Sequence, residues 1–129
     1  MSTVVSLCLF HSADNIWVQR RDSGFLGGTL ELPGGKIEKN ETSEEACQRE
    51  VEEEIGFKLD FSRIKKWRMF HHEYETITVA LFIHLVQVQM NELPKEGWYK
   101  LDELLENQEI PEANIEIFRA FKSFLQENR

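Results

Sequence analysis

The sequence predicts a layered α/β or α+β domain, because strand-like runs alternate with helical patterns along its 129 residues. Two observations carry this prediction. A capped helical segment that starts near residue 43 lies between apolar runs of strand length, and an amphipathic helical pattern closes the chain. The length suits one compact core and no linker divides the chain, so we expect a single domain over residues 1–129.

The chain begins with two strand-like runs. Val4–Phe10 and Ile16–Arg20 are separated by the polar turn Ser12–Asn15. Glycines then cluster at positions 24, 27, 28, 34 and 35, which indicates loops, with room for a short strand at Leu30–Leu32 between them.

The next element is a helix predicted over Ser43–Ile55. Thr42 stands at the N-cap position and Glu45 follows three residues later, which is the spacing of a capping box. Gly56 is the residue type that commonly ends a helix.

Strand patterns return in the second half of the chain. The runs Lys66–His72 and Ile77–Val88 are both predicted as strands, and the second is rich in β-branched and aromatic residues, which are typical of strands. A loop follows at Gln89–Gly97. After it we predict a short strand at Trp98–Lys100, a short helix at Asp102–Glu106 and an amphipathic last helix at Ala113–Glu127.

The composition narrows the class of function. The net charge of −8 argues against a nucleic-acid polymer or an anionic membrane as partner, because such a chain repels both. Cys8 and Cys47 lie in apolar contexts without a disulfide spacing, which favours a reducing compartment, and we expect a cytoplasmic protein. No segment is long and apolar enough to span a bilayer, and Val4–Phe10 is too short and lacks the basic leader of a signal peptide.

The helix at Ser43–Ile55 carries an acidic edge. At about 100° per residue, Glu50, Glu53 and Glu54 fall within one sector, in which Ala46 leaves space. The neighbouring stripe, which can pack on a sheet, consists of Cys47, Val51 and Ile55.

Carboxylates this close repel each other, and a hard divalent cation such as Mg²⁺ removes the repulsion by binding their oxygens. Arg49 lies one turn before Glu53 and could hold a carboxylate in place. The alternative is that these glutamates are a solvated helix face, since glutamate is a good helix former.

Fixed spacings around the helix decide between these interpretations. The chain carries the pattern G-x5-E-x7-R-E-U-x-E-E-x-G-U, with U apolar, and every specified position is present. The positions are Gly35, Glu41, Arg49, Glu50, Val51, Glu53, Glu54, Gly56 and Phe57. This segment, residues 35–57, is identified as a Nudix box.

Outside the box the chain resembles the MutT branch of the Nudix family over nearly its full length. The similar segments are Gln19–Arg21, Leu30–Glu38 and Pro111–Asn114. The resemblance implies a Nudix fold, with a mixed β-sheet sandwiched between α-helices. It also implies hydrolysis of a nucleoside diphosphate linked to another group, with Mg²⁺ as cofactor and Mn²⁺ as an alternative. The products would be a nucleoside monophosphate and, from a triphosphate, pyrophosphate.

The resemblance also implies the metal ligands. They are Glu50, Glu53 and Glu54, with the Gly34 carbonyl beside them. Glu50 is our choice for the group that also takes the proton of the attacking water, and Glu53 is the alternative. The family often adds an acidic residue from a later loop, for which Glu92 is the first candidate and Glu96 the second. Both could instead be ordinary exposed loop residues.

Substrate contacts are implied at a second set of residues, namely Arg20, Phe25, Glu31, Leu32, Pro33, Gly34 and Asn114. Arg20 is a candidate phosphate or sugar contact, or else a solvated charge at a strand end. Asn114 could read a purine edge, or could cap the last helix. Phe25 and Leu32 could wall the base or pack in the core.

Several positions depart from the MutT branch and leave the base preference open. Leu32 stands where that branch often has an aromatic residue, and Leu30 replaces a frequent tryptophan of related branches. His71 and His72 are adjacent on a predicted strand, so we expect one inward and one exposed rather than a second metal site.

The favoured function is a nucleoside triphosphate pyrophosphohydrolase, with oxidised purine nucleotides such as 8-oxo-dGTP as candidate substrates. The same chemistry on a nucleotide sugar, ADP-ribose, a dinucleoside polyphosphate or an RNA 5′ end is the alternative. A non-catalytic nucleotide-binding module is a third hypothesis, against which the intact box argues. Monomer and homodimer both stay open.

Overall fold

The computed structural model describes residues 2–22 and 27–128. Contacts group the chain into two compact units. The first unit comprises Met1–Phe10 and Pro33–Gln87, and the second comprises His11–Leu32 and Val88–Arg129. Strand β1 (Ser2–Ser12) runs from the first unit into the second. Strands and helices occur together in the described ranges, in agreement with the predicted α+β class.

The first unit is built on β1. Strand β5 (Gly34–Lys36) pairs with β1 antiparallel, and β7 (Thr78–Gln87) is also a neighbour of β1. The other edge of β7 pairs with β6 (Lys65–Glu73). The predicted strands in the β6 and β7 regions are thus confirmed. The glycine-rich segment at residues 34–36, which we predicted as a loop, is a strand.

Helix α1 (Ser43–Ile55) forms at the predicted residues and with the predicted ends. The Thr42 hydroxyl accepts a hydrogen bond from the Glu45 amide at 3.1 Å, and the Glu45 carboxylate accepts one from the Thr42 amide at 2.8 Å. Gly56 ends the helix in the left-handed conformation, at φ 75°. The principal buried apolar residues of the unit are Cys8, Leu9, Phe10, Ala46, Cys47, Val51, Leu59, Phe70, Leu81, Ile83, Leu85 and Val86.

The second unit contains four short strands, β2 (Asn15–Trp17), β3 (Gln19–Arg20), β4 (Leu30–Glu31) and β8 (Trp98–Lys100). The single strand that we predicted over residues 16–20 is wrong, because the backbone changes partners at Val18, whose amide donates to the Gly97 carbonyl at 2.9 Å. Strand β2 pairs with the end of β1 and with β8, whereas β3 pairs with β4.

Two helices complete the second unit, α2 (Leu101–Glu106) and α3 (Glu112–Glu127). The predicted apolar face of α3 is buried at Ile117, Phe118 and Phe121. Pro111 is the N-cap of α3, and Asn114 lies inside its first turn, so the interpretation of Asn114 as the N-cap is wrong. The predicted loop before β8 contains two single-turn 3-10 helices, at Met90–Glu92 and Lys95–Gly97.

Candidate active site

The acidic edge of α1 lies beside a firmly packed stripe. Cys47 and Val51 are fully buried, which fixes the rotation of the helix about its axis. Ala46, which we placed in the acidic sector, is also fully buried. The side chain of Glu50 is 17% exposed and that of Glu53 is 61% exposed. The edge therefore passes from the packed interior at Glu50 to solvent at Glu53.

Gly35 makes room for Glu50. A Cβ atom at Gly35 would lie 2.6 Å from Oε1 and 2.8 Å from Oε2 of that carboxylate, closer than real side chains approach. The carboxylate thus rests directly on the backbone of β5, and the packing ties one predicted ligand to the glycine pair that precedes the helix.

Gly34 is held between β1 and α1. Its φ of 149° is disfavoured for other residues, and a Cβ atom there would collide with the Ser6 carbonyl and with Leu7. The Gly34 amide donates to Oε2 of Glu54 at 3.4 Å. The structure therefore brings together Gly34 and Glu54, which the resemblance assigns to the same metal site.

Arg49 forms hydrogen bonds with three of the box carboxylates. Its guanidinium donates to Glu41 at 2.6 Å, to Glu50 at 2.8 Å and to Glu53 at 3.4 Å, and also to the Lys36 carbonyl at 3.1 Å. The bonds from Arg49 hold the pKa of Glu41 below its ordinary value, with a further contribution from the Glu38 amide. Glu41 in turn raises the pKa of Arg49. The sequence suggested Glu53 as a partner of Arg49, but Glu41 and Glu50 lie closer.

The donor set suits a hard divalent cation. Carboxylate oxygens and a backbone carbonyl are the ligands that Mg²⁺ takes, and Gly35 leaves space for one of the carboxylates. Within residues 2–22 and 27–128, however, no three His, Cys, Asp or Glu side chains stand as a group that could hold a metal ion. The guanidinium of Arg49 lies between these carboxylates, because it is ion-paired with both Glu50 and Glu53.

Glu92 and Glu96 lie in the second unit, in the two 3-10 turns before β8. The Glu92 carboxylate accepts from the Gln89 amide at 2.8 Å and so supports its own turn. Both glutamates are exposed. The choice of Glu92 over Glu96 as the additional acidic ligand stays a prediction.

Two of the predicted substrate contacts meet within the second unit. The Leu32 amide donates to Oδ1 of Asn114 at 3.2 Å, and both residues are buried. This bond fixes the orientation of the Asn114 carboxamide. Pro33, the next residue in the chain, is buried in the first unit. Phe25, our second candidate for an apolar wall, lies outside the described residues.

Two other predicted contacts are engaged in ion pairs. Arg20 donates to the Glu109 carboxylate at 2.8 Å and to the Gly28 carbonyl at 2.6 Å. Glu31 accepts from Arg21 at 2.7 Å, and its side chain is 17% exposed. Arg20 is thus an exposed, paired charge at the end of β3, and Glu31 is largely covered.

Sequence reasoning overlooked His84, which is fully buried in β7 and hydrogen-bonded to β1 and α1. The available signal was a histidine inside an apolar strand, where a polar side chain needs buried partners. The adjacent pair that we did consider behaves as expected, since His71 is exposed and His72 is partly buried against Tyr74.

The family model described as the NUDIX domain matches residues 1–121. An 8-oxo-dGTP diphosphatase from Haemophilus influenzae is 32% identical over 103 residues, which are 77% of this chain and 74% of that protein. An 8-oxo-dGTP diphosphatase from Proteus vulgaris is 35% identical over 94 residues, which are 71% of this chain and 82% of that protein.

Solved structures share the fold. The MutT protein from Methanosarcina mazei Go1 gives a TM-score of 0.79 at 22% identity, covering 99% of this chain and 96% of that one. The MutT NUDIX hydrolase from Burkholderia pseudomallei gives 0.75 at 23% identity, covering 92% and 95%. The predicted Nudix fold is therefore confirmed. None of the helices in the described ranges is long and apolar enough to cross a membrane.

The box that the sequence predicted lies on α1 and β5, and the family match extends far beyond it in both directions. This chain belongs to the Nudix family and is a hydrolase of pyrophosphate bonds.

Proposed function

We propose that this chain is a Mg²⁺-dependent nucleoside triphosphate pyrophosphohydrolase, and that oxidised purine nucleotides such as 8-oxo-dGTP are among its substrates. The observation that carries the proposal is the placement of three box glutamates on α1, Glu50, Glu53 and Glu54, with Gly35 shaped to receive Glu50. Names of similar proteins support the substrate class, because the relatives from Haemophilus influenzae and Proteus vulgaris are 8-oxo-dGTP diphosphatases.

The proposed ligands of the cation are Glu50, Glu53, Glu54 and the Gly34 carbonyl, with Glu92 as the added acidic residue. A bound divalent cation would neutralise phosphate charge and polarise the attacking water. Glu50 is the proposed acceptor of the proton from that water, and Glu53 is the alternative. Arg49 supports both roles, because its bonds at 2.8 and 3.4 Å restrict where these two carboxylates lie.

The proposed substrate contacts are Arg20, Phe25, Glu31, Leu32, Pro33, Gly34 and Asn114. Oδ1 of Asn114 is already used by the Leu32 amide, so its amide N–H groups are the ones proposed to face an acceptor on a purine. Arg20 would have to share its guanidinium between Glu109 and a phosphate or sugar. We further expect a cytoplasmic enzyme that acts on free nucleotides.

A nucleotide panel tests the proposed reaction. The purified chain is incubated with Mg²⁺ or with EDTA and with ordinary triphosphates, 8-oxo-dGTP, ADP-ribose, a nucleotide sugar and a dinucleoside polyphosphate. Pyrophosphate and orthophosphate are quantified separately, because they report different broken bonds. We expect Mg²⁺-dependent release of pyrophosphate and a monophosphate from triphosphates. Release of orthophosphate alone, or turnover confined to a substrate without a triphosphate, would refute the proposed reaction.

Charge-neutralising variants test the ligands. Glu53→Gln and Glu54→Gln each remove one anionic ligand and keep the size of the side chain. We expect each to lower kcat/KM by at least about a hundredfold, and added Mg²⁺ to recover little of the loss. The matched control is Glu52→Gln, an exposed glutamate on the other side of α1, for which turnover should be unchanged. Normal turnover by both test variants would remove these residues from the metal site.

A further inference from the structure

The first unit contains a buried polar cluster that the acidic edge of α1 does not use. It consists of Ser6 on β1, His84 on β7 and Ser43 in the first turn of α1, which are 0%, 0% and 7% exposed. Ser6 Oγ lies 2.6 Å from the Ser43 carbonyl, and Nε2 of His84 lies 3.0 Å from Ser43 Oγ. Nδ1 of His84 lies 3.1 Å from the Leu7 carbonyl and 3.3 Å from Ser6 Oγ. The cluster thus connects two strands with the start of the helix.

The partners of the cluster determine where the imidazole proton lies. A carbonyl oxygen only accepts, so Nδ1 of His84 must donate to Leu7. Ser6 likewise gives its hydroxyl proton to the Ser43 carbonyl, which leaves its oxygen to accept from Nδ1 as well. In the neutral ring Nε2 then carries no proton and accepts from the Ser43 hydroxyl, which has Oε1 of Glu44 as its second acceptor.

The alternative state of the ring changes the direction of one bond. Ser43 Oγ also lies 3.0 Å from Oε1 of Glu44. A charged imidazole would donate from Nε2 to Ser43, whose hydroxyl would then turn to Glu44. Burial holds the pKa of His84 below its ordinary value of 6.5, which favours the neutral ring at neutral pH. The charged groups that act on the ring are Glu44 from α1 and Lys66 from β6; the contacts from β1 are made by the uncharged residues Ser6 and Leu7.

The strand positions held by the cluster are the ones that face the glycines of the site. Ser6 is opposite Gly35 in the β1–β5 pair, and Leu7 is opposite Gly34. Gly35 supports the Glu50 carboxylate, and the Gly34 amide contacts Glu54. Together with the direct bond from Ser6 to the Ser43 carbonyl, the His84 side chain on β7 therefore joins the first turn of the helix to the stretch of β1 that pairs with both glycines.

We propose that His84, as the neutral Nδ1–H tautomer, is a positioning residue of this hydrolase that fixes the first turn of α1 against β1 and so sets the carboxylates of α1 relative to Gly34 and Gly35. The proposal rests on the metal-ligand role of those carboxylates under the proposed function. The bond between His84 and Ser43 joins the imidazole to the helix, beside the direct bond from Ser6 to the Ser43 carbonyl, and it is the contact that the proposal depends on. The bonds to Leu7 and Ser6 orient the ring.

The tautomer is tested directly by nitrogen NMR. The full chain is labelled with ¹⁵N in histidine, and the two ring nitrogens of His84 are assigned through their couplings to the ring protons. We expect at neutral pH a protonated Nδ1 and an unprotonated Nε2 that accepts a hydrogen bond, and a shift of Nε2 in Ser43→Ala. A ring protonated at Nε2, or charged at neutral pH, would overturn the proposal. This measurement does not depend on turnover, so it separates this inference from failure of the proposed function.

Two conservative variants test the functional role. Glutamine places its carboxamide near the position of Nε2 and can accept from Ser43, whereas asparagine reaches only the position of Nδ1. With the best substrate of the nucleotide panel, we expect His84→Asn to lower kcat on the order of tenfold with KM within about twofold. His84→Gln should recover kcat to within about threefold of the parent chain. Equal losses in both variants, or a change confined to KM, would overturn the proposal.

Further variants isolate the bond between His84 and Ser43. Ser43→Ala should lower kcat about as much as His84→Asn, and the double variant should be no worse than either one, because both remove the same contact. Additive losses would contradict the proposal. The control is His71→Asn, the same substitution at an exposed position of the β6–β7 hairpin, which should leave kcat unchanged. Folding of every variant is verified by circular dichroism at the assay temperature.

Discussion

Two glycines of the same motif serve different physical purposes. Gly35 has no side chain because a Cβ atom would occupy the place of the Glu50 carboxylate. Gly56 has open space around its α-carbon, but its φ of 75° ends α1 in a conformation that other residues adopt only at a cost. Substitution by alanine can therefore separate the need for space in the site from the need for backbone freedom at a helix end.

Gly35→Ala is predicted to reduce activity more than stability. The added methyl group displaces the Glu50 carboxylate, and a displaced ligand lowers kcat by at least about tenfold. Because the displaced atoms are the end of a flexible side chain, the free energy of unfolding should fall by only about 1 kcal/mol, the low end of the cost of overpacking. Steady-state kinetics and urea denaturation measure the two effects on the same protein.

Gly56→Ala provides the comparison. We expect it to lower the free energy of unfolding by about 1–2 kcal/mol through backbone strain alone and to keep kcat near that of the parent chain. For each variant the loss of kcat is compared with the loss in the free energy of unfolding. If the ratio of the two losses is the same in Gly35→Ala and Gly56→Ala, the close contact between Gly35 and Glu50 has no special role in activity.

At the scale of the element, α1 is stable for local reasons that the site then exploits. Its capping box satisfies two backbone amides at the N-terminus, and its buried stripe holds it on the first unit. The carboxylates are arranged by side-chain contacts at the middle of the helix, chiefly the ion pairs of Arg49 with Glu41 and Glu50. The cap therefore serves the stability of the helix, whereas the placement of the carboxylates depends on other contacts of α1, at Arg49 and, under the proposal above, at the Ser43 hydroxyl.

Thr42→Ala tests this separation. Loss of the hydroxyl leaves the Glu45 amide without its cap, and we expect the free energy of unfolding to fall by about 1 kcal/mol. Because Thr42 lies two turns before Glu50, kcat at a temperature well below the unfolding transition should change little. Thr42→Ser, which keeps the oxygen, should restore most of the stability. A large loss of kcat in Thr42→Ala with normal stability would show that the cap itself positions the carboxylates.

At the scale of the whole molecule, several titrating groups favour the folded state at neutral pH. Bonds from Arg49 keep the pKa of Glu41 below its ordinary value of 4.5, and a bond from its own backbone amide does the same for Glu44. Burial depresses the pKa of His84 below 6.5. In each case the unfolded chain binds its proton at a higher pH than the folded chain does, so stability is lost as the pH falls.

This linkage predicts two stages of acid destabilisation. The free energy of unfolding should begin to fall below pH 6.5 as unfolded chains protonate at His84, and should fall more steeply below pH 4.5 as the carboxylates follow. Urea denaturation at a series of pH values measures both stages. In His84→Gln the first stage should be reduced while the second persists. An unchanged first stage in that variant would assign it to another group.

Much of the first unit was predictable because its signals are local. The position of α1 follows from a capping box, a four-residue apolar repeat and a terminal glycine, all within one segment. Strands β6 and β7 follow from runs of residues that favour extended backbone. The box carboxylates follow from a motif with fixed spacings, so the acidic edge was identified before any tertiary contact was known.

The sequence by itself thus determined the family and the helix that bears the carboxylates, because both depend on residues a few positions apart. Only the tertiary structure decided that residues 34–36 pair with β1, that the backbone changes partners at Val18, that Asn114 binds the Leu32 amide, and that His84 meets Ser43. Those contacts join residues up to 82 positions apart. Which distant residue becomes the partner depends on which buried backbone and side-chain groups still need a hydrogen bond once the core has packed. That need is a property of the folded chain and not of any short segment.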